Sequence, residues 1–196
     1  MLTGELIALR ARTVADVEIL HRELYDDVAT RVRSDNRPWM PVPAGPASPF
    51  WVPGLDAGAA DAGGAAEGPA ATAAIFSVVE LATGELAGDA LLWDIDVHNR
   101  SAHIGITLRP ACRGRGLGLD VVRQLCRYGF GLRGLHRLQL ETLADNHAMI
   151  AVAEKLGFTR EGTTRGSSWV NGAFTDDVIF GLLAAEHTGL VFAYRY

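Results

Sequence analysis

Ile104-Gly105-Ile106-Thr107-Leu108-Arg109-Pro110-Ala111-Cys112-Arg113-Gly114-Arg115-Gly116-Leu117-Gly118 decides how this chain is read. A short β-rich run stops at a proline, and Arg113-x-x-Gly116-x-Gly118 then opens directly into an amphipathic helix. Glycines let the backbone turn several N–H groups toward one point, and the helix N-terminus adds about half a positive charge there. Arg113 and Arg115 bring full charges beside it. Such a loop suits a pyrophosphate. Two better-known phosphate loops fit poorly. A Walker A loop needs Lys-Ser/Thr after its last glycine, where this chain has Leu119-Asp120. A dinucleotide fingerprint needs a third glycine where Leu119 stands.

Arg-x-x-Gly-x-Gly after a strand resembles the coenzyme A loop of the GCN5-related N-acetyltransferases. Two further matches follow in order. Asn146 begins Asn-His-Ala-Met-Ile-Ala-Val-Ala-Glu-Lys-Leu-Gly-Phe, which resembles that superfamily's second cofactor motif. Arg160-Glu161-Gly162 followed by Asp176-Asp177 is similar to the ribosomal-protein N-terminal acetyltransferase branch. The resemblance covers roughly residues 2–36 and 73–186.

Composition sets wide bounds around this. The 196 residues suit one domain with a sizeable core. Hydrophobic residues are 48% and charged ones 21%, as in ordinary globular proteins. A net charge of −5 argues against nucleic acid and against an anionic membrane as partners. Arg109, Arg113 and Arg115 form a local basic cluster against that acidic background. Met1-Leu2-Thr3-Gly4-Glu5 lacks the basic and apolar regions of a signal peptide, and no run approaches a membrane span of about 18 apolar residues. Cys112 and Cys126 have no metal-ligand spacing and read as reduced thiols. The expectation is a cytoplasmic protein.

Along the chain, Leu2–Arg10 reads as one strand, and Thr13 can cap a helix over Val14–Tyr25, with Asp16 in its first turn. Seven of the eight prolines then fall between Pro38 and Ala74. Gly54–Ala71 holds no large apolar residue except Leu55, so residues 38–73 read as an insertion with a mobile centre. Trp39, Phe50 and Trp51 inside it read as anchors onto the sheet, with the acceptor entrance as the other role open to them. Strands are expected over Ala74–Leu81, Glu85–Asp96, Ala102–Leu108 and Arg137–Leu143. Helices are expected over Leu119–Leu132 and over Asn146–Leu156, the latter stopped by Gly157. Thr163–Val170 and Ala173–Leu183 flank the hairpin signal Asn171-Gly172. The sum is a single mixed α/β domain, spanning the whole chain, with a central and mostly antiparallel sheet flanked by helices. Strand–loop–helix–strand over Ala102–Leu143 is a crossover unit, so those strands should be parallel neighbours.

The resemblance implies that this parallel pair splays apart to admit the pantetheine arm of acetyl-CoA. Backbone groups of Ile106, Thr107 and Leu108 would then bond the cofactor's amides. Arg113, Gly114, Arg115, Gly116, Leu117 and Gly118 would hold its pyrophosphate. Asn146 is by position a helix N-cap, and by resemblance a contact of the pantetheine or diphosphate. Lys155 reads as a solvated residue or as a contact of the 3′-phosphate. Glu161-Gly162 reads as a turn after Phe158. Asp176 and Asp177 look like a metal pair but fit a strand edge or acceptor pocket as well. His98, His103, His136, His147 and His187 show no ligand spacing, so no metal is expected.

The general acid and base are harder to place. Many relatives carry a tyrosine seven residues after the motif asparagine, which here is Ala153. The ribosomal-protein branch can use a serine three residues after the asparagine and a glutamate near the hairpin. Those places hold Met149 and Ser168. His103, Glu141 and Ser168 are the catalytic candidates, with Asp94 and Asp96 behind them. A lysine-type amine near pKa ~10.4 is only about 0.04% neutral at pH 7, against about 14% for an α-amino group near ~7.8. Weak acid–base machinery therefore favours an α-amino acceptor. The expected reaction is acetyl transfer from acetyl-CoA to a protein N-terminus, or alternatively to a small amine such as an aminoglycoside or polyamine. A CoA-binding regulatory module with weakened chemistry is the alternative from another class. The apolar tail Leu190-Val191-Phe192-Ala193-Tyr194 leaves a homodimer open.

Overall fold

A computed structural model describes residues 1–56 and 72–187 of the chain. Residues 57–71 of the expected mobile centre and the apolar tail from Leu190 lie outside the described residues, whereas Leu55 packs against a second hydrophobic cluster.

Eight strands form one sheet in the order β1-β2-β3-β4-β5-β6-β8-β7. They are β1 (Leu2–Thr3), β2 (Ile7–Arg10), β3 (Ala74–Glu80), β4 (Leu86–Asp96), β5 (Ser101–Leu108), β6 (Arg137–Leu143), β7 (Thr159–Val170) and β8 (Ala173–Leu183). Every neighbouring pair is antiparallel except β5–β6. β2 pairs with β3 across the insertion, so both flanks belong to one sheet. Asn171 and Gly172 both have positive φ, 49° and 88°, and turn β7 into β8 as the Asn-Gly signal demands.

The expected single strand over Leu2–Arg10 is broken. Gly4 turns the chain back by donating its N–H to Ile7 O at 2.8 Å. The reason lies 113 residues away: the buried Asp120 carboxylate takes the N–H groups of Leu6 and Ile7, at 2.7 and 3.2 Å. A Cβ on Gly4 would overlap that carboxylate.

α1 (Val14–Leu20) opens with a capping box, Thr13 Oγ1 accepting from Asp16 N and Asp16 accepting from Thr13 N. It continues as a π-turn over His21–Tyr25, within the expected helix. α2 (Val28–Ser34) was not expected from the sequence. Its signal is Asp27, whose side chain accepts from Thr30 N. α3 (Leu117–Cys126) runs on as a π-turn to Leu132, and Val121, Val122, Leu125, Cys126 and Phe130 are all buried as the helical spacing predicts. α4 (His147–Lys155) is N-capped by Asn146 and followed by Gly157 at φ +84°.

The main core lies between α3, α4 and one face of the sheet, with Leu92, Ile104, Leu125, Leu138, Phe158 and Phe180 in it. A second cluster on α1 gathers Val17, Leu20, Leu24, Tyr25, Phe50 and Leu86. The start of the insertion is fixed there. Phe50 shares that cluster with Leu86 of β4, Trp39 Nε1 donates to Tyr25 O at 3.1 Å, and Trp51 packs against the cluster. The aromatic anchors thus dock on a cluster formed by α1, the turn after it and Leu86 of the sheet.

Candidate active site

Pro110 begins one turn of 3-10 helix over Pro110–Cys112, and Cys112 packs into the core. From that fixed point Gly114 and Gly116 adopt φ of +73° and +79°, conformations that cost an L side chain strain. Gly116 is the N-cap of α3 and has no side chain to cap it. The backbone N–H groups of residues 114–118 therefore take no acceptor from the described residues. Uncapped donors at a helix N-terminus are an anion site. Arg113 stands beside them, its Nε donating to Leu108 O at 3.0 Å and its Nη2 to Thr30 Oγ1 at 3.3 Å. Arg115 is 3.1 Å from Glu80 and 43% exposed.

Arg109 does not join this group. Its Nε and Nη2 donate to Glu23 at 2.6 and 2.8 Å, tying the sheet to the turn after α1. The Arg109 guanidinium in turn holds the Glu23 carboxyl below its usual range. Buried Asp120 also keeps the first turn of α3 in place, through the β1–β2 turn.

β5 and β6 pair only from Ser101↔Arg137 to Ile104↔Leu140. Beyond Ile104, β5 keeps β4 on one side, and beyond Leu140, β6 keeps β8 on one side. The splayed slot implied by the resemblance is present, and it leads to the Arg113–Gly118 loop. One edge of Gly105–Leu108, including Ile106 and Thr107, faces it without a strand partner. Asn146 lies past the end of β6, on the other bank. Its Oδ1 accepts from Met149 N at 3.3 Å and its Nδ2 donates to Thr142 Oγ1 at 2.8 Å, so it serves as a cap. Lys155 is exposed at the opposite end of α4, about 13 Å along the axis from Asn146.

Side chains alternate across a strand, so His103 and Gly105 on β5 face away from the α3 core. That open face carries a chain of polar contacts. Glu161 binds Arg137, Arg137 Nη2 donates to Gln139 Oε1 at 3.1 Å, and Gln139 Nε2 donates to Glu141 Oε1 at 2.6 Å. Glu141 Oε1 lies 3.7 Å from His103 Nδ1, and Asp94 Oδ2 lies 4.0 Å from His103 Nε2. Trp93 lies against the imidazole, ring centroids 4.4 Å apart. Nδ1 is buried and has no hydrogen-bond partner among the described residues. The structure thus gathers His103, Glu141 and Asp94 at the closed end of the slot.

Ser168 is engaged elsewhere. Its hydroxyl donates to Asp177 at 2.5 Å, and Ser167 donates to the same carboxylate at 2.6 Å. Asp176 accepts from Gly166 N at 2.8 Å, so the two aspartates secure the β7–β8 edge. Asp96 is held by the N–H groups of His98 and Asn99 in the following turn. Glu161 is not in a turn after Phe158: it lies within β7, at a register shift, and binds Arg137. Ala153 is fully buried and Met149 packs on the core, so these two positions turn no hydroxyl toward the slot. Among the described residues no group of three His, Cys, Asp or Glu side chains is arranged to hold a metal ion, and no helix is long and apolar enough to cross a membrane.

A family model described as an acetyltransferase (GNAT) domain matches residues 7–159. The putative ribosomal N-acetyltransferase YdaF of Bacillus subtilis (strain 168) is 34% identical over 106 residues, 54% of this chain and 58% of that protein. A spermidine N(1)-acetyltransferase of Vibrio cholerae is 29% identical over 99 residues, 50% of this chain and 57% of that protein. The chain thus matches little more than half the length of either relative. Among solved structures, the spermidine N-acetyltransferase from Vibrio cholerae in complex with CoA and spermine superposes with a TM-score of 0.69. It covers 92% of this chain and 97% of its own at 19% identity, a likeness of fold.

Proposed function

The chain belongs to the acetyltransferase (GNAT) domain family, and we propose that it transfers acetyl from acetyl-CoA to a primary amine, a protein N-terminal α-amino group in the first place. The observation that carries this reading is the splayed β5–β6 slot leading to an uncapped, arginine-flanked helix N-terminus. Residues 113–118 would hold the pyrophosphate, the free edge of Ile106–Leu108 the pantetheine amides, and the thioester would reach the closed end beside His103.

At that end Glu141 flanks His103 Nδ1, and Nε2, on the Asp94 side, is the nitrogen assigned as the base. The acceptor ammonium gives one proton to Nε2, and its lone pair attacks the thioester carbon. The C–N bond forms and the C–S bond breaks as the intermediate collapses. The nitrogen's second surplus proton passes to the CoA thiolate. The products are the amide, CoA thiol and one proton released from His103 to solvent. An imidazole removes a proton from an α-ammonium more readily than from an aliphatic ammonium, by about 2.6 pK units or about 3.5 kcal/mol. This and the likeness to YdaF support the α-amino acceptor. The carboxylates of Asp94, Glu141 and Glu161 on the open face support a second reading, a small polycation such as a polyamine.

The test is to incubate the protein with acetyl-CoA and a panel of N-terminal peptides, polyamines and aminoglycosides, following thiol release and product mass. His103→Ala should lower kcat at least tenfold with CoA affinity unchanged. CoA binding without turnover on any amine would favour the regulatory-module alternative.

A further inference from the structure

In β4 the residues Leu92 and Ile95 both enter the main core. A regular strand would place core residues two apart, and here they are three apart. The pairing records the extra residue: Trp93 opposes His103, but Asp96 opposes Ser101. The residue that absorbs it is Asp94, with φ +50°. A bulge with a left-handed residue turns the strand locally and re-aims a side chain. Without it Asp94 would point into the apolar core. With it, two consecutive side chains, Trp93 and Asp94, leave the core side, and Asp94 Oδ2 comes to 4.0 Å from His103 Nε2.

We infer that Asp94 and His103 Nε2 together form the seat of the acceptor nitrogen, and that Asp94 selects amines that arrive as ammonium ions. The inference rests on the acetyl-transfer reading and adds the residue that recognises the acceptor's charge. The spacing fits one nitrogen. A nitrogen about 2.8 Å from each of two acceptors 4.0 Å apart sees them at about 90°, within reach of two N–H bonds of a tetrahedral ammonium. The pair is too far apart to bond directly, and 75% of the Asp94 side chain is exposed, open to a ligand from the side opposite the α3 core. Trp93 fixes the imidazole and, 41% exposed, offers its remaining face to the carbons that follow the ammonium. Glu141, held by Gln139, lies on the other side of the ring, 3.7 Å from Nδ1.

The experiment measures spermidine and a hexapeptide with a free N-terminus binding to the CoA-loaded protein by calorimetry, alongside turnover. Asp94→Asn should weaken the binding of whichever probe the wild type holds by at least tenfold, with CoA affinity unchanged. Asp94→Gly suits the left-handed backbone better than aspartate does, so it should melt no lower than wild type and lose the same affinity. Turnover of methoxyamine, uncharged at neutral pH, should fall by a clearly smaller factor than turnover of the charged probe in either variant. Unchanged probe binding in both variants, equal losses for charged and uncharged amines, or no probe binding by the wild type would overturn the inference. Turnover that survives Asp94→Asn with unaltered acceptor KM would do the same and leave the acetyltransferase reading standing. Binding that depends on Asp94 without any turnover would instead remove the reading and leave the seat.

Discussion

Arg33 and Asp145 are 112 residues apart in the chain and meet at 2.7 Å, joining α2 to the segment after β6. Asp145 follows β6 and precedes the capping Asn146, while Thr30, one turn before Arg33, touches Arg113 after β5. The seven-residue helix α2 is therefore tied to both banks. Its Arg33 guanidinium also keeps the Asp145 carboxyl below its usual range.

An exposed ion pair of this kind is worth under ~1 kcal/mol to the fold. Arg33→Ala should therefore barely move the melting temperature. It should raise the rate of CoA dissociation by no more than about fivefold, the equivalent of that energy, in stopped-flow displacement. A large fall in melting temperature with an unchanged dissociation rate would show that the pair braces the fold and not the slot.

Asp120 is a different kind of acid. It is 2% exposed and accepts two backbone N–H groups, so removing it strands both donors. Asp120→Ala should cost about 2 kcal/mol in urea unfolding, with an unchanged m-value. A loss under ~0.5 kcal/mol would mean that the β1–β2 turn finds other partners.

Burial alone would raise the Asp16 carboxyl. The Arg10 guanidinium, Thr13 N–H and the Ser77 hydroxyl overcome this and hold it at about 2, against an ordinary 3.8. A depressed carboxyl gives stability that is complete above the unfolded value and is lost as pH falls through the folded one. The stability gap between wild type and Asp16→Asn should thus be constant above pH ~5 and shrink between about 4 and about 2. A gap independent of pH throughout that window would contradict the assignment.

What the sequence made legible was local. Asn171-Gly172, the Thr13 cap and the glycine loop each declare themselves within a few residues, and the crossover from β5 to β6 follows from their order. α2 stayed hidden because seven residues are too few to show a helical period. Arg109 read as part of a local basic cluster with Arg113 and Arg115 because its partner, Glu23, lies 86 positions away. The break after Thr3 was hidden for the same reason, since Asp120 causes it. The bulge at Asp94 had a visible sign in the three-residue spacing of Leu92 and Ile95, but only the fold shows that the spare residue turns toward His103.

The central claim is that residues 113–118 receive the pyrophosphate of CoA. The most direct measurement is calorimetric titration of CoA into wild type and Gly116→Asp, which sets a carboxylate and a strained Cβ among the free N–H groups. Wild type should bind one CoA per chain, and the folded variant at least tenfold more weakly, about 1.4 kcal/mol or more. Equal affinity in the two proteins, or no binding by wild type, would contradict the account.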